Sequence, residues 1–200
     1  AAPFNGSDFS HGATKVVRGL QDAGFTAYVV GGAVRDLLLG HRPKDFDVAT
    51  NATPEQIRQC FRNARIIGRR FQIVHVRSGG EIIEVTTFRG NHAAAQAGQH
   101  SKASESGRLL RDNVYGTLEE DALRRDLTIN ALYYDTSSNT LIDQLNGAAD
   151  IAARMIRVIG VPEERYREDP VRMLRVLRFS ARLQFDLAAD TETAIASTRL

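Results

Sequence analysis

Hydrophobic residues fall in two rhythms along this chain. The first half carries short apolar runs of strand length, and the second carries apolar residues at helical steps of three and four. Residues 15–22 read as a short helix capped by Gly24. Residues 27–30 are β-prone and run into Gly31-Gly32, after which 34–39 read as a helix that Gly40 stops. A second strand is expected over 45–50. Thr53 and Pro54 are the cap and first-turn signals of a helix reaching about residue 61. Two β-prone runs, 71–77 and 81–88, flank Ser78-Gly79-Gly80 as a hairpin. Residues 91–107, rich in Ala, Gln, Ser, Gly and His, have no periodicity and are expected to form a mobile loop. Further on, 118–132 read as a helix, 132–135 as extended chain, 139–142 as a short strand or turn, and Asn146-Gly147 as a turn. Residues 169–183 form an amphipathic helix and 191–200 start another. On the first of these, Arg172, Arg175, Arg178 and Arg182 make one stripe, with Val171, Leu174, Leu177 and Ala181 as the neighbouring apolar face. The expected fold is α+β: a mixed β-sheet flanked by helices over residues 1–145, followed by the start of an all-helical domain over 146–200.

A length of 200 residues with 42% hydrophobic content supports one domain, or one plus part of a second. Ala1 stands where a Met would start a chain, and Leu200 falls inside a helical pattern, so the sequence reads as a piece of a longer protein. The opening residues lack a basic start and a long apolar run, and no stretch approaches the roughly 18 apolar residues of a membrane span. No membrane partner is expected. The lone cysteine, Cys60, has no internal disulfide partner, which suits a reducing cytoplasm. Net charge is only +2, but 23 of the 26 basic residues are arginine. Arginine's planar fork suits phosphate, although a compositional bias gives the same count.

The sharpest chemical signal is Gly31-Gly32-Ala33-Val34-Arg35-Asp36 followed by Asp45-Phe46-Asp47. Side chains two apart on a strand share a face, so Asp45 and Asp47 present paired carboxylates while Phe46 and Val48 point into a core. Paired anions repel unless a cation lies between them, and Mg²⁺ takes oxygen ligands of this kind. A solvated turn with two aspartates is the plainer alternative. The Gly31-Gly32 turn frees backbone N–H groups for phosphate, with Arg35 near enough to clamp the same group; an ordinary strand-to-helix turn is the alternative. Glu84 opposes Ile83 and Val85 on its strand. It completes a three-acid cluster if that strand lies beside the Asp45 strand, and is a surface acid otherwise.

In 124–132, Arg125 and Asn130 are candidate phosphate or sugar contacts and Asp126 a candidate ribose contact, against a reading as a capped helix start. In 168–175, Glu168, Asp169 and Arg172 combine acceptors and donors suited to a base edge, against a solvated arginine face.

The segments GGAVRDLLLGHRPKDFDVAT, RRDLTINALYYD and EDPVRMLRVLRFSARLQF, in that order, resemble the class II nucleotidyltransferases, which comprise bacterial poly(A) polymerases and CCA-adding tRNA nucleotidyltransferases. Asp143, Gly147 and Asp150, then Ile156-Arg157, resemble that family's motif between head and neck. The resemblance spans roughly residues 15–185. It implies a nucleotidyltransferase head and a helical neck. It implies a two-metal mechanism, with Asp45 and Asp47 as ligands of two Mg²⁺ ions and Glu84 as third acid, and Gly31, Gly32 and Arg35 on the triphosphate. Arg125, Asp126 and Asn130 would meet sugar and phosphates; Glu168, Asp169 and Arg172, on the neck, would select the base, with Arg175 and Arg178 along the same stripe also binding the nucleotide. The implied reaction is template-independent transfer of AMP from ATP to RNA 3′ ends, since 68–76, 110–113 and 166–170 resemble the polyadenylating branch. Addition of CCA to tRNA from CTP and ATP is the alternative. Leu127 departs from the phenylalanine expected in the second motif, and most of the family's helical body and basic tail are not in this sequence.

Overall fold

The computed structural model describes residues 2–90 and 115–198; the loop expected over 91–107 lies outside them. Helix α1, His11–Asp22, begins four residues before the expected start because the Ser10 side chain caps it, accepting from Ala13 N at 3.1 Å. Strand β1, Ala27–Val30, leads through Gly31 into α2, Gly32–Leu38. Strand β2 is Asp47–Thr50, so Asp45 lies in the lead-in rather than in the strand itself. Helix α3, Pro54–Cys60, has the expected Thr53 cap, with Gln56 returning a bond to the Thr53 amide. Strand β3, Ala64–Ile67, was not signalled by any strong turn chemistry and went unread in the sequence. It is followed by the β4–β5 hairpin, Ile73–Ser78 and Glu81–Thr87.

The expected helix over 118–132 is corrected. Helix α4 is only Leu118–Leu123, and the chain then straightens at Leu127 before a 3₁₀ turn, Thr128–Asn130. The cause is long-range: Leu127 bridges Val158, Thr128 N donates to Arg157 O, and Ile159 N donates to Asp126 O. Those bonds satisfy backbone groups that a helix would have used internally. Strands β6, Tyr133–Asp135, and β7, Thr140–Ile142, follow, then α5, Gly147–Ala152, and β8, Met155–Ile156. Helices α6, Pro162–Glu168, α7, Val171–Leu183, and α8, Ala189–Ser197, make up the C-terminal part, with β9, Asp186–Leu187, pairing parallel to β8. The region expected to be all-helical thus holds this small strand pair.

Seven of the described strands form one mixed sheet in the order β3-β4-β5-β2-β1-β6-β7, whose parallel pair is β2 with β5. One face is dry. Val29, Val48, Val74, Val76, Ile83 and Val85 point there and meet Val16, Val17 and Leu20 of α1 and Ile57 of α3. Each such side chain contributes about 1.5–3 kcal/mol on burial. The other face is covered only in part. Val30, Ala49, Phe88 and Tyr133 pack under Ala122 of α4, and the rest of that face is polar or open.

Two glycines fix the approach to that face. Gly31 sits at φ +73°, a backbone region that side-chain-bearing residues rarely adopt. Gly147 lets α5 rest directly on the 3₁₀ turn, since a Cβ there would lie 2.1 Å from Thr128 O. Gly147→Ala is expected to destabilise the fold by about 2–3 kcal/mol through overpacking against backbone, a drop of roughly 5–10 °C in Tm that calorimetry would register. An unchanged Tm would mean that α5 does not press on this turn.

Candidate active site

The alternation along β2 and β5 turns Asp47 and Glu84 to the partly covered face, while Phe46, Val48, Ile83 and Val85 are buried on the other. The parallel register sets Asp47 directly beside Glu84, and Val30 of β1 lies on the other side of Asp47. The sequence condition on Glu84 is therefore met: its strand is the neighbour of the aspartate strand. Asp45, two residues ahead of Asp47, is exposed. Although the edge of Asp47 meets solvent, burial of its surroundings, then the charge of Glu84, then that of Asp45, push its carboxyl up to about 6, against the pull of Arg125 and His75. Among the described residues, no three Asp, Glu, His or Cys side chains already close on a common point as a metal-ligand cluster.

A cavity of about 400 Å³ opens above Asp47 and Glu84; Asp45 and Glu168 do not line it. Asp47, Glu84 and Thr86 form its floor. Arg89, Arg124 and Arg125 stand on one wall, and Asp126, Asn130, Asp169, Arg172 and Arg175 bring head and C-terminal helices together on the other. The arginine wall is built on α4. Arg125 bonds to Asp121 Oδ2 through Nε and Nη2 at 3.3 and 3.1 Å, and through Nε to the Tyr133 hydroxyl at 3.1 Å. Tyr133 in turn donates to Asp121 at 2.6 Å, and burial raises its phenol pKa. Arg124 is held below the usual arginine value by burial and by neighbouring Arg89, Arg125 and Arg165, and its Nε has no hydrogen-bond partner. Cations crowded in this way favour a bound anion.

The opposite wall is an ion-pair network. Arg172 Nε reaches Asp126 at 3.1 Å and its Nη1 reaches Glu168 at 2.8 Å; Arg175 Nη1 takes the second Asp126 oxygen at 2.7 Å. Asp169 accepts from Val171 N at 3.1 Å at the start of α7. Arg165, which sequence reasoning missed, ties this wall to the other by donating to the carbonyls of Arg124 and Arg125, both at 2.9 Å.

Several sequence candidates stand elsewhere. Arg35 does not line the cavity. It is buried, with Nη1 on Asn130 Oδ1 at 2.7 Å, Nε and Nη2 on Asp36, and the Phe179 ring 5.3 Å away. In this arrangement it orients Asn130. Gly31 lies under Arg125, whose Nη1 would be 3.7 Å from a Cβ at that position, and Gly32 lies beside the Arg35 guanidinium. Arg178 is exposed and outside the cavity lining.

The expected apolar face of α7 is also corrected. Val171, Leu174 and Leu177 are exposed, and Met173 and Val176 are the buried residues. The helix carries two apolar stripes; the second packs in the core with Phe179 and Leu183, in the rotation that also brings Arg172 and Arg175 to Asp126. Asp121, Arg89, Arg124 and Tyr133 are further site residues that the sequence reading passed over. For Asp121 a signal existed in its spacing of four from Arg125.

Residues 27–157 match the family model described as the poly A polymerase head domain. The chain is 56% identical over 198 residues to poly(A) polymerase I of Haemophilus influenzae, covering 98% of this chain and 44% of that protein. It is 41% identical over 183 residues to a CCA-adding enzyme of Lactobacillus helveticus, covering 92% of this chain and 43% of the relative. The crystal structure of the Bacillus stearothermophilus CCA-adding enzyme in complex with CTP matches at a TM-score of 0.78 and 39% identity, over 92% of this chain and 42% of that one. The chain spans less than half the length of these relatives.

Proposed function

The chain belongs to the class II nucleotidyltransferase family, whose poly(A) polymerase head domain it carries, and from that premise we propose that it transfers AMP from ATP to RNA 3′ ends without a template. The observation that supports this most is the pairing of Asp47 with Glu84, two residues from Asp45, beneath a cavity walled by arginine. Identity of 56% to a poly(A) polymerase I, against 41% to a CCA-adding enzyme, favours polyadenylation over CCA addition.

In this reading Asp45 and Asp47 hold Mg²⁺ and Glu84 is the third acid. The donors are all carboxylate oxygens, which suit that ion. Burial, with the charges of Glu84 and Asp45, raises the Asp47 carboxyl, a setting that a nearby cation would relieve. When bound, magnesium supplies charge neutralisation for the attacking oxygen and for the leaving pyrophosphate. The RNA 3′-oxygen bonds to the α-phosphorus of ATP, the bond from that phosphorus to the bridging oxygen of the β-phosphate breaks, the hydroxyl proton passes to water, and pyrophosphate departs. Arg125, with Arg124 and Arg89 beside it, would hold the phosphates, together with amides of the Gly31-Gly32 turn. Asn130, oriented by Arg35, and Asp126 would meet the sugar. Glu168, Asp169, Arg172 and Arg175 would present donors and acceptors to the base, and Arg178 extends the same arginine stripe. A domain division near residue 145 follows the same reading, with the neck supplying base selection. No described helix is long and apolar enough to cross a membrane; we place the reaction in the cytoplasm, which the half-buried free thiol of Cys60 suits.

Primer extension with each nucleotide given separately, in magnesium, tests this. ATP alone is expected to give extended tails on single-stranded RNA. Ordered incorporation of C, C and A on a tRNA lacking its end, with no tailing of other RNA, would shift the assignment to CCA addition.

A further inference from the structure

A cleft of about 400 Å³ is of nucleotide size. With ATP in that cleft, the RNA needs a seat of its own beside the acids. The sheet offers a path. Among the described residues, the helices packed on β3, β4 and β5 are α1 and α3, both on the dry face. On the opposite side Ile67 and Ile82 are 38% and 50% exposed.

Register makes this open face one continuous row with the acids. Arg65 of β3 pairs with His75 of β4, His75 with Glu84 of β5, and Glu84 with Asp47 of β2. Strands lie about 4.8 Å apart, so Arg65 stands about 14 Å across the sheet from Asp47. One rung toward the hairpin, exposed Arg77 pairs with Ile82; one rung the other way, Ile67 pairs with Ile73. Beyond that rung the exposed Phe71 ring lies 4.6 Å from the Arg89 guanidinium, which itself lines the cavity. Glu84 is the one carboxylate that β3, β4 and β5 turn to this side.

We propose that this open face of β3–β5 seats the 3′-terminal stretch of a single-stranded RNA, leading its hydroxyl to Glu84 and Asp47. The inference rests on the nucleotidyl-transfer reading above. Arg65 and Arg77 pair with phosphates, while Ile67, Ile82 and Phe71 meet base faces. Apolar base contacts interleaved with arginine bind single strands with little sequence preference, as an enzyme extending its own product requires. A protein partner would be a poorer fit, because Arg65 and Arg77 break the apolar surface on either side of its isoleucines.

The test is RNA affinity by fluorescence anisotropy, using single-stranded oligoadenylate in chelator, so that no turnover is needed. The double variant Arg65→Glu, Arg77→Glu alters exposed side chains and should fold. It is expected to weaken binding about tenfold or more at low salt and to reduce the slope of log K against log salt by about 1.4, two phosphate contacts' worth. KM for RNA should rise with it while KM for ATP holds. Lys15→Glu, exposed on α1 at the other face, should leave RNA affinity as it was. Undiminished RNA binding by the double variant, or equal weakening by Lys15→Glu, overturns the proposal. A wild-type chain that binds RNA through Arg65 and Arg77 yet extends no primer would leave this surface standing and sink the polymerase reading instead.

Discussion

Asp47→Asn is expected to lower AMP incorporation by about a thousandfold or more, the upper range for losing one electrostatic group at a reaction centre, and at the same time to stabilise the metal-free fold at neutral pH. The two effects have one cause. Burial and the charges of Glu84 and Asp45 raise the Asp47 carboxyl from an ordinary 3.8 to about 6. Between those values the folded protein binds a proton that the unfolded chain has released. Stability therefore falls as pH rises from about 3.8 to about 6, and stays at the lower level above that window. Asparagine has no charge to bury, so the variant should lack this dependence. Because part of Asp47 meets solvent, screening limits the gain to about 1 kcal/mol, or 2–4 °C in Tm. Thermal melts in chelator, set beside single-turnover incorporation, read both effects. A variant that lost activity by unfolding would melt lower, not higher, and would refute the electrostatic account of Asp47.

Arg172→Ala is expected to cost about a hundredfold in preference for ATP over the other nucleotides, the equivalent of one or two charge-assisted hydrogen bonds at roughly 1.5–3 kcal/mol each. The residue joins Asp126 to Glu168 at 3.1 and 2.8 Å across the cavity wall. Its loss removes the donor that would meet a base and leaves Asp126 held by Arg175 alone. Discrimination, taken as the ratio of kcat/KM values between nucleotides, should fall further than kcat with ATP. Arg172→Lys keeps the charge but not the fork, and should recover stability more than selectivity. If Arg172→Ala lowered every nucleotide's kcat/KM equally, the residue would be a structural tie between head and helices and nothing more.

The acids were legible because strand alternation is local. Asp45-Phe46-Asp47-Val48 and Ile83-Glu84-Val85 announce which side chains go inward, and burial of Phe46, Val48, Ile83 and Val85 follows that pattern. That β2 and β5 are parallel neighbours was not legible. The pairing crosses two intervening strands and depends on where the whole sheet places its edges. The break after Leu123 was hidden for the same reason, since the partners of Leu127 and Thr128 lie some thirty residues on, at Val158 and Arg157. Helix α7 shows a subtler limit. Its periodicity offered two apolar stripes of equal spacing, and contacts with distant residues, core packing of Met173 and Val176 and ion pairs to Asp126, go with the rotation observed. From sequence alone Arg35 has the look of a free clamp, since Asn130 and Phe179, which close around it, are distant in the chain.

The most direct test of the central claim is anomalous diffraction from crystals of this chain grown with Mn²⁺ and a non-hydrolysable ATP analogue. The account predicts manganese on the carboxylates of Asp45 and Asp47, beside Glu84, in contact with nucleotide phosphates that reach Arg125. Manganese bound elsewhere, with both aspartates unliganded while the nucleotide occupies the cavity, would contradict it.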